Sequence, residues 1–315
     1  MIIDGHLDIA WNALAFGRGF DRPAAKGYLV SRDALEGAGV GLVFATLFAA
    51  PSVEAELRET GAYYRNAREA RLLALSQLNY YAAVGLPLVR RRRDLGRAGL
   101  QAVILMEGAD PIESPAQVAD WWERGVRIVG LAWQRTRYSG GTHAPGGLTT
   151  AGRRLLPALA RAGMILDLSH LADQAVEDVF ELWKGRLIAS HSNARALVPG
   201  DRQLPDATVA EIARRGGIVG VSFFRGHLRT DDRKPNLDDV ARHIRHLARA
   251  AGGPEHVGLG SDLDGGFAAD AAPLRSLAEL ARLAPRLRRD FSAEQVEGIL
   301  GGNWLRFLWR ALPSR

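Results

Sequence analysis

The 315-residue sequence predicts an α/β fold, a single (β/α)8 barrel of the TIM type that spans residues 1–315. Eight short apolar segments alternate with helical segments or long loops, a pattern typical of a parallel sheet. Eight such units in about 300 residues fit a closed barrel better than an open sheet. The alternative, an open doubly wound sheet, needs a glycine fingerprint for phosphate after its first strand, and Asp4-Gly5-His6 supplies none.

The predicted strands are apolar runs of the kind found in strands that are buried on both faces. In chain order they are Ile2–Asp8, Gly41–Leu47, Leu100–Glu107, Ile128–Trp133, Met164–His170, Leu187–His191, Ile218–Phe224 and Val257–Asp262. Helices are predicted between them, after Arg32, at Ser52–Ala83, around Trp121-Trp122, and at Thr149–Arg161, Asp173–Trp183, Asp206–Arg215 and Leu237–Ala250. A final helix begins at a capping box, Ser292-Ala293-Glu294-Gln295, and is expected to end at Gly301-Gly302.

Composition excludes several classes of protein. The chain has no cysteine, which rules out disulfides, thiolate zinc sites and a thiol nucleophile. No apolar run approaches the ~20 residues of a membrane span, and the first strand begins too early for a signal peptide. We therefore expect a cytoplasmic protein without a membrane partner. The densest basic run, Arg90–Arg93, lacks interleaved aromatic residues, so we interpret it as a solvated loop and expect no nucleic-acid partner.

Residues of metal-ligand type occur where five of the predicted strands end, which is the rim that carries catalytic groups in such barrels. They are His6, Asp8, Glu107, His170, His191 and Asp262. Each has a structural alternative: a hydrogen-bonded histidine, a helix N-cap at either aspartate, or an ion-pair partner for the glutamate. Three carboxylates in one pocket would nevertheless repel one another and raise one another's pKa, and cations relieve that repulsion. The set therefore predicts a metal site.

Two ions fit these residues better than one. His6 and Asp8 would hold the first ion, and His170 and His191 the second, with Glu107 as a bridge between them. Two ions ~3.5–4 Å apart lower the pKa of a shared water, which can then attack a carbonyl near neutral pH. Asp262 remains as the general base and acid that carries a proton to the leaving amine.

Five motifs resemble the renal (membrane) dipeptidase family, peptidase family M19 of the amidohydrolase superfamily. They are Asp4-Gly5-His6-Leu7-Asp8, Met106-Glu107-Gly108, Leu168-Ser169-His170, Ser190-His191-Ser192-Asn193-Ala194-Arg195 and Gly260-Ser261-Asp262-Leu263-Asp264-Gly265. Their order and spacing extend the resemblance from residue 2 to Trp304. The resemblance implies a dipeptidase with two Zn²⁺ ions bridged by Glu107, acting on a small dipeptide-like substrate that could include D-residues.

The resemblance also implies substrate contacts. The family places an arginine eleven residues after the strand-six histidine to hold the C-terminal carboxylate of the substrate, and this position is Arg202. The alternative for Arg202 is a salt bridge to a neighbouring aspartate, Asp201 or Asp206. Trp133 stands where well-studied members have a histidine that contacts the scissile region, and Phe224 where they have a tyrosine. His143 could substitute for the missing histidine, or could be a surface loop residue.

Three functional classes stay open. The first is a hydrolase of dipeptides or N-acyl amino acids. The second is a lactonase, phosphotriesterase or deaminase on the same barrel, which the His-x-Asp motif of the first strand disfavours, since most of those enzymes carry His-x-His. The third is a metal-binding barrel without activity. Trp304, Phe307 and Trp309 could form an apolar contact face for a homodimer.

Overall fold

Eight parallel strands form a barrel, which confirms the predicted fold class. The computed structural model describes residues 1–51 and 63–314. The strands are β1 Ile2–Leu7, β2 Val40–Phe48, β3 Gln101–Glu107, β4 Val126–Gly130, β5 Ile165–Asp167, β6 Leu187–Ile188, β7 Val219–Val221 and β8 Val257–Leu259. They are ordered β6-β5-β4-β3-β2-β1-β8-β7. A parallel bridge between Ala189 and Val219 joins the two edges and closes the ring.

Helices surround this barrel. They are α1 Ile9–Phe16, α2 Arg32–Gly37, α3 Ala67–Ala83, α4 Val118–Glu123, α5 Thr150–Ala162, α6 Asp173–Leu182, α7 Asp206–Arg214, α8 Arg225–Leu228, α9 Leu237–Ala250, α10 Leu283–Leu287, α11 Ala293–Glu297 and α12 Asn303–Ala311. Two pairs of short strands lie outside the barrel, Ala50–Pro51 with Tyr63–Tyr64 and Ser139–Gly141 with Ala144–Leu148. No helix within residues 1–51 and 63–314 is both long and apolar enough to cross a membrane.

Helix α9 shows how the sequence builds this outer layer. The side chain of Asn236 accepts hydrogen bonds from the backbone N–H groups of Asp238 and Asp239, so it caps the helix. Val240, Ile244 and other apolar residues recur at helical spacing and are fully buried. Each aliphatic side chain buried in this way stabilises the fold by about 1.5–3 kcal/mol.

The lower end of the barrel is closed by α12. Trp304 packs against Phe44 of β2 with ring centroids 4.8 Å apart, and its indole N–H donates to the Leu259 carbonyl at 2.8 Å. Phe307 is also buried in this cluster. The expectation that Trp304 and Phe307 form a contact face is therefore wrong, because the apolar stripe of α12 faces the barrel. Only Trp309 of that trio is exposed.

Three element predictions need correction. Helix α1 was missed, because its own side chains are apolar on nearly all of its faces and show no clear helical period. The predicted strands four to eight extend past the ends of the observed ones, because the last residues of each predicted strand lie in the loops of the rim. Of the helix predicted at 52–83, the structure bears out Ala67–Ala83, and residues 52–62 lie outside the described part of the chain. The prediction is wrong at Tyr63–Tyr64, which form a short strand, and the helix begins only after its cap at Asn66.

The expected stop at Gly301-Gly302 is also wrong. The chain there forms a π-helical turn, Gly298–Gly302, and continues into α12. A Cβ on Gly301 would lie 2.5 Å from the Met1 carbonyl oxygen. The glycine therefore permits close packing of this turn on the start of β1, and it does not end the helix. The capping box at Ser292 and Gln295 is present as predicted.

Candidate metal centre

The six predicted ligand-type residues converge at the upper rim of the barrel. Asp8 directly follows β1, and Glu107 is the last residue of β3. His170, His191 and Asp262 lie in the loops that follow β5, β6 and β8. The side chains meet because parallel strands bring their carboxyl ends to one rim, as the sequence predicts.

Glu107 lies between two sets of imidazoles. Its Oε2 atom is 3.4 Å from Nε2 of His6. Its Oε1 atom is 3.1 Å from Nε2 of His170 and 3.4 Å from Nε2 of His191. The two histidine Nε2 atoms on this second side are 3.0 Å apart. One buried carboxylate thus presents one oxygen to each of two groups of metal-ligand type.

In the described part of the chain, two overlapping groups of residues have ligand atoms that all lie within 4.8 Å of one another. The first is His6, Glu107 and His191, and the second is His6, Asp8 and Asp262. His6 belongs to both, and its Nε2 atom is buried without a hydrogen-bond partner among residues 1–51 and 63–314. Buried polar atoms normally have partners, so this nitrogen, with carboxylate oxygens beside it, fits a cation ligand.

The charges of this cluster are poorly balanced without cations. Although burial lowers it, the nearby negative charges of Glu107, Asp8 and Asp262 raise the pKa of His6 to about 10. Burial and the charge of Glu107 raise the pKa of Asp8 to about 6, and burial raises that of Asp262 well above its usual value. Burial and the Arg202 charge lower the pKa of His170 to about 4. Divalent cations would relieve the carboxylate repulsion and take up the imidazole lone pairs.

Asp8 lies at the N-cap position of α1, but its side chain makes no capping hydrogen bond. The hydroxyl of Thr46, on β2, donates to its Oδ1 atom. The helix-cap alternative for Asp8 is therefore wrong, and the carboxylate faces the cluster. Thr46 was missed by the sequence analysis, although a polar residue inside an otherwise apolar strand is a signal that could have revealed it.

Asp262 occupies a strained position beside the cluster. Its φ of 59° lies in the left-handed region, as does the φ of 67° at His170. Such conformations cost non-glycine residues of order 1–3 kcal/mol and gather at functional sites. A Cβ on Gly265 would lie 2.0 Å from Oδ1 of Asp262, so any other residue there would displace this carboxylate. The position suits either ligation beside Asp8 or proton transfer.

Arg202 lies beside these residues with only 8% of its surface exposed. Its Nη1 donates to the Ser192 hydroxyl at 3.1 Å and its Nη2 to the His191 carbonyl at 2.7 Å. Its Nε atom is buried and has no hydrogen-bond partner in the described part of the chain. The alternative of a salt bridge is not found, because Asp201 pairs with His143 and Asp206 with His246.

Two cavities open around the centre and share Trp133, His170 and Asp262. The narrower one, of about 190 Å³, is also lined by Trp11 and Phe48. Those two aromatic residues were missed, since no local pattern marks them. The wider cavity, of about 520 Å³, is lined by residues that include Arg202, Phe224 and His143.

His143 lies at the margin of the wider cavity. Its side chain is 75% exposed, and its Nδ1 atom is 3.2 Å from Asp201. Its backbone N–H also donates to that aspartate, at 2.7 Å. His143 is thus a surface loop residue in this conformation, which is the second of the two interpretations that the sequence left open.

Comparison with known proteins identifies relatives along the whole chain. A family model described as membrane dipeptidase (peptidase family M19) matches residues 1–312. A Klebsiella pneumoniae protein encoded in the pqqA 5′ region is 34% identical over 256 residues, covering 76% of this chain and 93% of its own length. Dipeptidase tcpJ of Claviceps purpurea is 34% identical over 209 residues, or 64% of this chain. The match spans about half of that relative's length, 49%.

Solved structures share the fold. The dipeptidase AC, a metallopeptidase of family M19, has a TM-score of 0.86 and 25% identity, and the match covers 98% of each chain. A Rhodobacter sphaeroides metallopeptidase, solved with a phosphinate mimic of the dipeptide L-Ala-D-Ala, has a TM-score of 0.86. It is 24% identical, and the match covers 98% of this chain and 99% of the other.

Proposed function

Because the chain belongs to the membrane dipeptidase family, peptidase family M19, we propose that it hydrolyses dipeptides with two bound Zn²⁺ ions. The observation that carries this proposal is the placement of Glu107, with one carboxylate oxygen toward His6 and the other toward His170 and His191. A carboxylate in that position can serve two cations at once.

His6 and Asp8 would hold one ion, and His170 and His191 the other, with Glu107 shared. Zinc accepts imidazole nitrogen and carboxylate oxygen. When bound, such a pair of ions makes a nucleophile available near neutral pH and polarises the scissile carbonyl. The chain's own residues then orient the substrate and move the proton.

Arg202 would bind the C-terminal carboxylate of the substrate. Arg202 lines the wider cavity, and its buried Nε–H has no partner in the described part of the chain. Burial also lowers the pKa of its guanidinium, so an anion would complement it. The cavity that it shares with His170 and Asp262, of about 520 Å³, would take the residue beyond the scissile bond. Asp262, which lines both cavities, would carry the proton from the nucleophile to the leaving amine.

The narrow cavity would receive the N-terminal residue. Trp11, Phe48 and Trp133 form an aromatic wall there, with Phe48 5.2 Å from Trp11 and 5.3 Å from Trp133 between ring centroids. Phe224 lines the wider cavity and packs against Phe267, with ring centroids 4.9 Å apart. An apolar side chain on either residue of the dipeptide would therefore be favoured.

The same wall supports a second candidate, hydrolysis of N-acyl amino acids. Aromatic residues at Trp11, Phe48 and Trp133 suit an acyl chain, while Arg202 would still bind the free carboxylate. The two candidates differ only on the acyl side of the scissile amide. That side carries a free ammonium in a dipeptide and a hydrocarbon chain in an N-acyl amino acid.

The organisation of the chain is proposed on the same basis. Residues 1–315 would form one domain, because β1 pairs with both β2 and β8 and thus joins the two ends of the barrel. A homodimer and a cytoplasmic location stay predictions.

The test is a substrate panel after zinc loading, with L-X-L dipeptides, L-X-D dipeptides that include L-Ala-D-Ala, and N-acyl amino acids. We expect the free dipeptides to be cleaved with the highest kcat/KM. Preference for the N-acyl series would favour the second candidate. Failure of the zinc-loaded protein to cleave any of these compounds would contradict the hydrolase assignment.

A further inference from the structure

A buried serine below the metal centre contacts an imidazole on each side of Glu107. The Oγ atom of Ser190 lies 2.8 Å from Nδ1 of His191 and 3.3 Å from Nδ1 of His6. It also donates to Oδ2 of Asp167 at 2.5 Å. We propose that Ser190, held by Asp167, fixes the tautomer of both histidines so that each presents Nε2 to a different ion; this inference rests on the proposed binuclear centre.

The number of available protons determines the direction of these hydrogen bonds. A serine hydroxyl has one proton to donate and two lone pairs that accept, while an ionised carboxylate only accepts. Asp167 accepts the hydrogen bond of the Ser190 hydroxyl, and the lone pairs of Ser190 are left for other donors. Donation from Nδ1–H of His6 and of His191 would fill these lone pairs and leave each Nε2 with the lone pair that ligation requires.

Asp167 is oriented by two backbone groups besides the serine hydroxyl. Its Oδ1 atom accepts from the backbone N–H of Ser169 at 3.0 Å and from that of Ser190 at 2.9 Å. The Ser169 hydroxyl is 3.3 Å from Ser190 Oγ and competes with His6 for the second lone pair. Ser169 already accepts from the His191 backbone N–H, at 3.1 Å.

Backbone packing holds Ser190 in place. A Cβ on Gly220 would lie 1.9 Å from the Ser190 carbonyl oxygen, and a Cβ on Gly260 would lie 1.8 Å from it. Strand β7, which contains Gly220, and the chain directly after β8, at Gly260, therefore approach this serine closely because glycine occupies both positions. Ser190 itself is fully buried, so its hydroxyl keeps a fixed position relative to the two rings.

The barrel contains a second pair with the same geometry, which provides a control. Asp4 accepts from the Ser261 backbone N–H at 2.7 Å and from its hydroxyl at 2.5 Å. Ser261 is buried like Ser190, and the remaining hydrogen bond of its hydroxyl in the described part of the chain comes from the Leu263 backbone N–H. This pair supports the backbone before Asp262 without contacting an imidazole.

The experiment compares Ser190→Ala with Ser261→Ala by chelator competition for zinc and by cobalt absorption spectra. If Ser190 sets both tautomers, Ser190→Ala lowers the affinity for both ions by roughly 10–100-fold, the usual effect of losing a hydrogen-bond partner of a metal ligand. It also alters the cobalt spectrum. Ser261→Ala should lose thermal stability to a similar extent and bind both ions with wild-type affinity. Wild-type affinities in Ser190→Ala would overturn the proposal, as would weakening of one ion only.

A direct measurement covers the case in which Ser190→Ala does not fold. In zinc-loaded wild-type protein with ¹⁵N-labelled histidine, His6 and His191 should show protonated Nδ1 and metal-bound Nε2. An Nδ1-bound metal on either ring would refute the inference. Wild-type protein that binds fewer than two ions would instead refute the proposed binuclear function, so the two failures are distinguishable.

Discussion

Replacing Arg202 by alanine tests how the substrate is selected. In wild type the guanidinium is buried, donates to Ser192 and to the His191 carbonyl, and leaves Nε–H without a partner in the described part of the chain. A substrate carboxylate at that position would form a charge-assisted pair shielded from water. Arg202→Ala removes this pair and leaves the rest of the cavity lining in place.

The size of the effect follows from the burial. Truncating one member of a buried, hydrogen-bonded charge pair costs about 2–5 kcal/mol. Two N–H groups of Arg202 are already used by the protein, so we expect a loss of about 3 kcal/mol, or roughly a hundredfold in kcat/KM for a free dipeptide. The C-terminal amide of the same dipeptide lacks the anion, so its kcat/KM should be low in wild type and change little in the variant.

The assay measures kcat/KM for the acid and the amide in wild type, Arg202→Ala and a control, Arg195→Ala. Arg195 lies in the same loop, where its guanidinium pairs with Asp173 at 2.7 Å and its Nε donates to the Gln203 carbonyl at 2.9 Å. Arg195→Ala should loosen the loop without altering the ratio of acid to amide. Equal kcat/KM values for the acid and the amide in wild type would refute the role given to Arg202.

Three further predictions concern the centre itself. Asp262→Asn should retain the metal ions and lower turnover by roughly 10²–10⁴-fold, the range for a lost acid–base group; loss of an ion on elemental analysis would make Asp262 a ligand. Because the pKa of His6 is raised to about 10, the metal-free protein carries that proton at neutral pH, so metal binding should release it and affinity should rise with pH up to about 10. Calorimetry in buffers of different ionisation enthalpy measures this release, and a buffer-independent enthalpy would contradict it. Trp133→Ala removes part of the aromatic wall, so it should lower the ratio of kcat/KM for aromatic over small N-terminal residues by roughly 2–10-fold. An unchanged ratio would show that the N-terminal side chain of the substrate does not contact Trp133.

The raised pKa of His6 also makes the stability of the metal-free protein depend on pH. A histidine whose folded pKa lies above its unfolded value of 6.5 contributes stability that is fully present below pH 6.5. That contribution is lost as the pH rises through about 10. Thermal unfolding of the metal-free protein against pH measures this loss.

Much of the fold and the cluster could be predicted because both depend on local patterns. Apolar runs identified the strands, and strand ends brought His6, Glu107 and His191 to one rim by the geometry of parallel barrels. A strand's register with its neighbours is not visible in its own residues. The contact of Ser190 with two imidazoles and Asp167 therefore could not be predicted, since it depends on how β5, β6 and β1 are aligned.

Other features failed for equally specific reasons. Gly301 looks like a helix stop in sequence, but its lack of a side chain serves packing against Met1. Trp304 looks like a surface aromatic near a terminus, but its helix closes the barrel. In both cases a distant partner decides the role of the residue, and local sequence does not contain that partner.

In the proposed function two ions share Glu107. Elemental analysis of the protein after zinc reconstitution and removal of free metal counts these ions. We expect about two zinc ions per chain in wild type. In Glu107→Gln the binding of both ions should weaken together, because both depend on the same carboxylate. At most one ion in the reconstituted wild type, or loss of a single ion in Glu107→Gln, would contradict the shared centre.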